Sequence, residues 1–307
     1  MKIKRPLFFD SLNIISIILI PLTLVTVIIN ILKKFKLKKK FKIKSICVGN
    51  IYIGGTGKTP LTIKINDLLR KKFKSVFIKK KYSDQKDEQN LLRKEGKLIC
   101  LKQRFKALKI AVKKNYEVAI FDDGLQDKSI NYNISIACFN SSEEIGNGLL
   151  LPSGPLRESI KELKNYDAVF LNGERKNNKF SRKLKKINKN LKIFHANYVP
   201  TNLNKFDLKK NYLLFCGLGN PDEFKRTLNK YKFKIKEKFI FPDHYNLLNK
   251  EINNLKKIAI EKKLDIITTE KDYLRLSNSN KKGIKFLKIK LQILENLKFV
   301  NFLNKNL

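Results

Sequence analysis

The 307-residue chain has no tryptophan, one methionine, two histidines and four cysteines, and its 27 acidic residues face 67 lysines and arginines. Each shortage excludes something. Cys47, Cys100, Cys138 and Cys216 stand singly in or beside apolar runs, with no two at metal-ligand spacing. They read as buried free thiols of a reducing compartment, not as a zinc module or a disulfide framework. His195 and His244 are too far apart for a histidine-based metal site. The acid deficit leaves a formal net charge of +40. That suits an anionic partner, whether nucleic acid, membrane surface or phosphorylated lipid. Lysine is nevertheless abundant throughout, together with asparagine and isoleucine, which is the pattern of compositional drift. No recognisable nucleic-acid module accompanies the charge, so DNA or RNA binding is not argued from it. Internal repeats and Gly/Ser linkers are also missing. What is present is an apolar fraction of 42%, enough for a packed core, in a length that holds one large or two modest domains.

Residues Ser11 to Leu32 carry no charge. A run of that length can span a hydrocarbon core, which takes roughly 20 residues, and is too long for a secretory signal. Pro21 sits inside it, and a lysine-dense block follows from Lys33 to Lys44. The reading is an N-terminal membrane helix whose basic flank, with all that follows, stays on the cytoplasmic face of the membrane among anionic headgroups. A helix lying in the interface and a buried core helix are the alternatives. Lys2, Lys4 and Arg5 on the other flank make a single crossing less clear-cut.

From Ser45 onward short apolar runs alternate with amphipathic stretches. Strands are predicted at Ser45–Ile51, Ser75–Ile78, Lys97–Leu101, Val118–Phe121, Ile134–Phe139, Ala168–Leu171, Leu191–His195, Tyr212–Cys216, Ile235–Ile240, Asp265–Thr268 and Ile284–Ile289. Helices are predicted at Pro60–Lys72, Gln103–Lys114, Pro221–Tyr231 and Lys250–Lys263, among others. This order implies βαβ units: an α/β fold with a mostly parallel, P-loop NTPase-like sheet and a second, smaller α/β lobe. The expected organisation is an anchor and basic flank over 1–44, a P-loop lobe over 45–200 and a C-terminal lobe over 201–307.

One segment carries chemistry on its own. An apolar strand runs into Gly54-Gly55-Thr56-Gly57-Lys58-Thr59, with Pro60 at the favoured first turn of a helix. Glycines let backbone N–H groups wrap phosphate oxygens, and the helix N-terminus adds partial positive charge. Lys58 can reach the β- and γ-phosphates of ATP, and Thr59 can hold Mg²⁺. The strict G-x-x-x-x-G-K-[ST] pattern is not met, because Tyr52 stands where its first glycine belongs; the ATP-binding window is Tyr52, Ile53, Gly54, Gly55, Thr56, Gly57, Lys58 and Thr59. A second strand, Val118–Phe121, ends in Asp122-Asp123-Gly124, carboxylates placed where Mg²⁺ or its waters are held beside a P-loop.

Those residues, together with FDDGLQD (Phe121–Asp127), LLPSGPLRES (Leu150–Ser159), FCGLGNPDEF (Phe215–Phe224), FPDHYNL (Phe241–Leu247) and TTEKDYLRL (Thr268–Leu276), resemble the tetraacyldisaccharide 4'-kinase family in order and spacing over nearly the whole chain. The resemblance implies transfer of the ATP γ-phosphate to the 4'-hydroxyl of lipid A disaccharide 1-phosphate, with inner-membrane lipids as the surroundings. It implies Asp87 as catalytic base with His244 as its partner, and Glu88 beside Asp122, Asp123 and Thr59 at the metal. It further implies Gln126 at the phosphate site, Arg157 near the substrate's 1-phosphate and Tyr82 in the substrate region. Two segments depart from the family pattern: Lys79-Lys80-Lys81-Tyr82 replaces an Arg-Gly-Tyr type of sequence, and Lys86 and Gln89 replace the glycine and proline flanking the Asp-Glu pair. The sequence leaves acyl-chain preference and oligomeric state open. A P-loop ATPase or GTPase serving as a membrane-associated assembly or metal-insertion factor is the competing reading; it would hydrolyse nucleotide without phosphorylating lipid.

Overall fold

The computed structural model describes residues 6–35, 37, 39, 41–82, 85–173, 176–218, 221–243 and 245–307. Two compact units are present. The larger comprises Arg5–Tyr82, Leu92–Asn197 and Leu291–Leu307, and the smaller gathers Ser83–Leu91 and Tyr198–Lys290.

The charge-free N-terminal run does not form one long helix. It folds as α1 (Ile14–Ile18) and α2 (Ile20–Lys34). Asn13 starts α1: its side chain accepts from Ser16 N–H at 2.9 Å, while Ser16 Oγ accepts from Asn13 N–H at 2.9 Å. Pro21 separates the two helices, since it has no N–H to offer the Ile17 carbonyl. At 1.5 Å per residue the 15 residues of α2 extend about 22 Å, short of a core of roughly 30 Å. The predicted membrane-spanning helix is therefore corrected: no helix among the described residues is long and apolar enough to cross a membrane. Every residue of α2 is instead at least partly exposed, and Leu24, Val25, Ile28 and Leu32 are more than half exposed.

The strands and helices of the rest follow the predicted alternation. They are β1 (Lys44–Gly49), α3 (Lys58–Leu69), β2 (Ser75–Lys80), α4 (Lys86–Glu95), β3 (Leu98–Leu101), α5 (Arg104–Lys113), β4 (Val118–Asp122), β5 (Ile134–Asn140), β6 (Ala168–Asn172), α6 (Asn178–Ile187), β7 (Lys192–Pro200), β8 (Asn211–Cys216), α7 (Pro221–Lys230), β9 (Lys234–Ile240), α8 (Asn249–Glu261), β10 (Asp265–Thr269), α9 (Glu270–Arg275), β11 (Ile284–Leu287), β12 (Ile289–Ile293) and α10 (Asn296–Asn306).

In the larger unit eight strands run in the order β12-β7-β6-β5-β1-β4-β2-β3, with parallel pairing from β7 through β3. The central strands β1, β4 and β5 are buried along nearly their whole length, as strands covered on both faces must be. The chain order switches direction at β1, which has β4 on one side and β5 on the other. Ligand sites of such sheets lie beyond the strands' carboxyl ends at that switch. The last residues close this unit: Phe299 of α10 packs edge-on against Phe170 and Phe194, with centroids 5.2 and 4.9 Å away.

The smaller unit is a four-stranded parallel sheet ordered β11-β10-β8-β9. Alternate residues of β8 feed its two faces: Tyr212, Leu214 and Cys216 pack with α7, and Leu213 and Phe215 with α8. The single strand predicted over Ile284–Ile289 is broken after Leu287. Asn202 explains the break. Its side-chain amide donates to Phe286 O at 2.9 Å and its Oδ1 accepts from Lys288 N–H at 2.8 Å, bending the chain between the two strands.

Candidate active site

The phosphate loop occupies the turn between β1 and α3. Gly57 caps α3 with φ 79°, and Gly54 has φ 142° with a Cβ position only 3.0 Å from the Tyr52 ring, so both places call for glycine. The loop is tied down at its edges. Ile53 N–H donates to Pro155 O at 2.8 Å, and Asn172 Nδ2 donates to the Thr56 carbonyl. Tyr52 is fully buried, with its hydroxyl on Glu143 and its carbonyl accepting from Asn50 Nδ2, so its side chain supports the loop from beneath. The first-turn amides of α3 have no intrahelical acceptors, and they follow directly on Gly57.

The ends of β1, β2 and β4 bring the acidic and basic groups together. Register pairs Val48 of β1 and Lys79 of β2 with Asp122 of β4. Asp122 is wholly buried; its Oδ2 accepts from Thr59 Oγ1 at 3.1 Å and from Lys79 Nζ at 2.7 Å. Its other oxygen, Oδ1, is buried and meets no hydrogen-bond donor among the described residues. Asp123 follows in a left-handed conformation, φ 58°. Its carboxylate takes Arg157 Nη1 at 2.8 Å, and the same nitrogen reaches Asn50 Oδ1 at 3.0 Å. Arg104 Nη2 donates to the Asp123 carbonyl. Burial pushes the Asp123 carboxyl upward, but Lys58, Arg157 and Lys79 outweigh it and hold the group well below the usual carboxylate range. Gln126 Nε2 donates to Asn50 O at 2.8 Å. Tyr82 lies just after β2 under the Lys80 ammonium, which is 5.1 Å from its ring centroid.

An orphaned carboxylate oxygen beside a hydroxyl is the donor set expected of a hard divalent cation, which keeps several waters and takes one or two protein carboxylates plus phosphate oxygens. The residues present therefore fit Mg²⁺: Thr59 and Asp122 would hold it.

A second charged cluster lies in the smaller unit. Thr269 caps α9 by accepting from Asp272 N–H at 3.1 Å, and its hydroxyl donates to Asp272 Oδ2 at 2.7 Å. Gly217 N–H meets the same oxygen at 3.1 Å. Arg275 then spans two carboxylates, Asp272 at 2.7 Å and Asp87 at 2.8 Å. Lys271 faces three: Asp243 at 3.2 Å, Asp87 at 3.3 Å and Glu88 at 3.5 Å. Burial would lower the Lys271 pKa, yet the surrounding carboxylates raise it above its ordinary value. Burial raises that of Asp272 in spite of Arg275. Asp87 itself is 3% exposed and sits in the first turn of α4, where an acid is favoured.

Of the residues named from sequence, Lys58, Thr59, Asp122, Asp123, Gln126 and Arg157 belong to the larger unit's site, and Asp87 and Glu88 to the smaller unit's cluster. His244 lies outside the described residues; its neighbour Asp243 is one of the Lys271 partners. Sequence reasoning missed Lys79, Arg104, Lys271, Asp272 and Arg275. The last three stand in the TTEKDYLRL segment, whose four charges within six residues were the available signal. Lys79 appeared only as a departure from the family pattern.

A family profile described as tetraacyldisaccharide-1-P 4'-kinase matches residues 15–95 and 75–307. The tetraacyldisaccharide 4'-kinase of Pelagibacter ubique (strain HTCC1062) is 46% identical over 312 residues, covering 99% of this chain and 98% of that protein. That of Rickettsia canadensis (strain McKiel) is 34% identical over 299 residues, covering 91% and 90%. Among solved structures, "apo" form LpxK from Aquifex aeolicus in complex with ATP matches with a TM-score of 0.71 at 23% identity, covering 95% of this chain and 99% of that one, which shows the shared fold.

Proposed function

We infer that this chain, which belongs to the tetraacyldisaccharide-1-P 4'-kinase family, moves the γ-phosphate of ATP to the 4'-hydroxyl of a tetraacylated glucosamine disaccharide 1-phosphate. The observation that carries this reading is the buried Thr59–Asp122–Lys79 group at the end of the phosphate loop, with Asp122 Oδ1 left open. Phosphoryl transfer needs charge neutralisation and in-line positioning more than a strong base. Lys58 and the α3 N-terminus supply the positive field. Mg²⁺, when bound by Thr59 and Asp122, supplies further neutralisation of the phosphate oxygens. Arg157 and Asn50 hold Asp123 as a carboxylate. Asp87 accepts the sugar hydroxyl proton with His244 as its partner. Ion pairs to Arg275 and Lys271 hold the Asp87 carboxylate in place, and a loose transition state does not need a strong base.

The substrate's acyl chains keep it in a bilayer, so the enzyme works at a lipid surface. We assign that contact to α1 and α2 lying in the interface on the cytoplasmic face of the inner membrane. The exposed Leu24, Val25, Ile28 and Leu32, followed by Lys33 and Lys34, support this.

The test is to incubate purified protein with γ-labelled ATP, Mg²⁺ and lipid A disaccharide 1-phosphate in detergent. Wild type should label the lipid. Lys58→Ala should lose about 10²–10³-fold in rate, the scale of removing one preorganised charge contact, with Asp87→Ala and His244→Ala also impaired. Folded wild type that releases only inorganic phosphate would sink the kinase reading.

A further inference from the structure

Within its uncharged stretch, α2 has a polar side chain that reaches far along the chain. Asn30 Nδ2 donates to the Arg157 main-chain carbonyl at 2.9 Å, across 127 residues of sequence. One turn on, on the same face, Lys34 Nζ meets Glu162 Oε1 at 2.6 Å. Asparagine is a poor helix former amid isoleucines and leucines, so local propensity does not explain it. Arg157 is itself held at three points. Its N–H donates to Ile51 O at 2.7 Å, its carbonyl accepts from Asn30, and its guanidinium bridges Asn50 Oδ1 and Asp123 Oδ1. The residue that clamps the carboxylate beside the phosphate loop is thus hydrogen-bonded to the helix whose apolar residues, among them Leu24, Val25, Ile28 and Leu32, are mostly exposed.

We propose that Asn30 is a positioning residue: through the Arg157 carbonyl it passes the seating of α2 on a lipid surface to the Asn50–Asp123 clamp, so that the phosphate loop binds nucleotide better when the helix is docked. The inference rests on the proposed interfacial role of α2 and deepens it. Among the described residues Asn30 and Lys34 tie α2 to the fold by polar contacts, and seating the helix on lipid fixes its rotation and tilt. A change in either moves the Arg157 carbonyl. The Arg157 main chain and side chain share one Cα, so the guanidinium moves with it. Sub-ångström placement of such a clamp is enough to alter phosphate binding.

The experiment measures affinity of the full-length chain for ATP carrying a fluorescent ribose label, with Mg²⁺, in the absence and presence of phosphatidylethanolamine–phosphatidylglycerol vesicles. Vesicles should tighten wild-type binding by about two- to tenfold, the range set by one hydrogen bond. Asn30→Leu should still sediment with vesicles and bind nucleotide without them, but lose the vesicle-dependent increase. Asn30→Gln, which keeps the donor, should recover part of it, and Thr23→Leu should respond as wild type does. In an Arg157→Ala background, Asn30→Leu should change nothing further. The proposal is overturned if vesicles leave wild-type affinity unchanged, if Asn30→Leu responds fully, or if Asn30→Leu loses vesicle-free binding as a merely structural residue would. Failure to phosphorylate lipid would sink the kinase reading and leave this nucleotide readout intact.

Discussion

Replacing Lys79 by methionine probes the centre of the larger unit's site. The Lys79 and Asp122 side chains are 2% and 0% exposed, and their charged atoms are 2.7 Å apart. Methionine has nearly the length of lysine without its charge, so packing changes little while Asp122 keeps, among the described residues, the Thr59 hydroxyl on Oδ2 and an open Oδ1. Breaking a buried pair by removing one partner costs about 3–5 kcal/mol, because the other charge stays buried uncompensated. For a domain of this size each kcal/mol lowers Tm by about 2–4 °C, which gives a fall of roughly 6–20 °C. The assay is calorimetry or circular dichroism melting in EDTA, so that no divalent cation replaces the ammonium. Adding Asp122→Asn to Lys79→Met should recover part of the loss, since no ion is then left in the core. Melting of Lys79→Met within about 2 °C of wild type, or a double variant less stable than the single one, would refute the buried ion pair as a stabilising contact.

Three further outcomes are expected. Arg157→Gln removes one of the cations holding Asp123 low. A depressed carboxylate gives stability that is present above its unfolded value of 3.8 and lost as pH falls through the folded value, so the acid-unfolding midpoint of the variant should move to higher pH in a circular dichroism titration. Arg275→Met takes the bridging guanidinium from Asp87 and Asp272, whose side chains are 2% and 0% exposed, and leaves them Lys271, Thr269 and Gly217; about 3 kcal/mol, the low end for a broken buried pair, should be lost in urea unfolding, with Arg275→Lys intermediate because it cannot span both carboxylates. Leu24→Glu combined with Ile28→Glu, at positions 62% and 56% exposed on one helix face, should leave melting unchanged and reduce vesicle sedimentation by roughly tenfold or more, since each change removes an apolar contact and adds repulsion from anionic headgroups.

The βαβ alternation was legible in the sequence because parallel strands covered on both faces appear as short, nearly continuous apolar runs, as at Ile134–Phe139. The phosphate loop was legible because its strand, glycines, Lys58 and Thr59 are contiguous. The N-terminal segment was misread because hydropathy reports polarity and not helix continuity; one missing N–H, at Pro21, divides the run. The strand break after Leu287 was hidden for a related reason: it depends on Asn202, more than 80 residues away in sequence. The same holds for the charged partners. Lys79 meets Asp122 across 43 residues and Arg275 meets Asp87 across 188, and in a chain so rich in lysine no local pattern separates a buried cation from a solvated one.

The most direct test is the position of the new phosphorus. After incubation with ATP and lipid A disaccharide 1-phosphate, the product should be analysed by ³¹P–¹H correlation NMR. A second monophosphate coupled to H4' of the non-reducing glucosamine, with the 1-phosphate unchanged, is the predicted result. A diphosphate at position 1, or ATP consumed with no phosphorus added to the sugar, would contradict it.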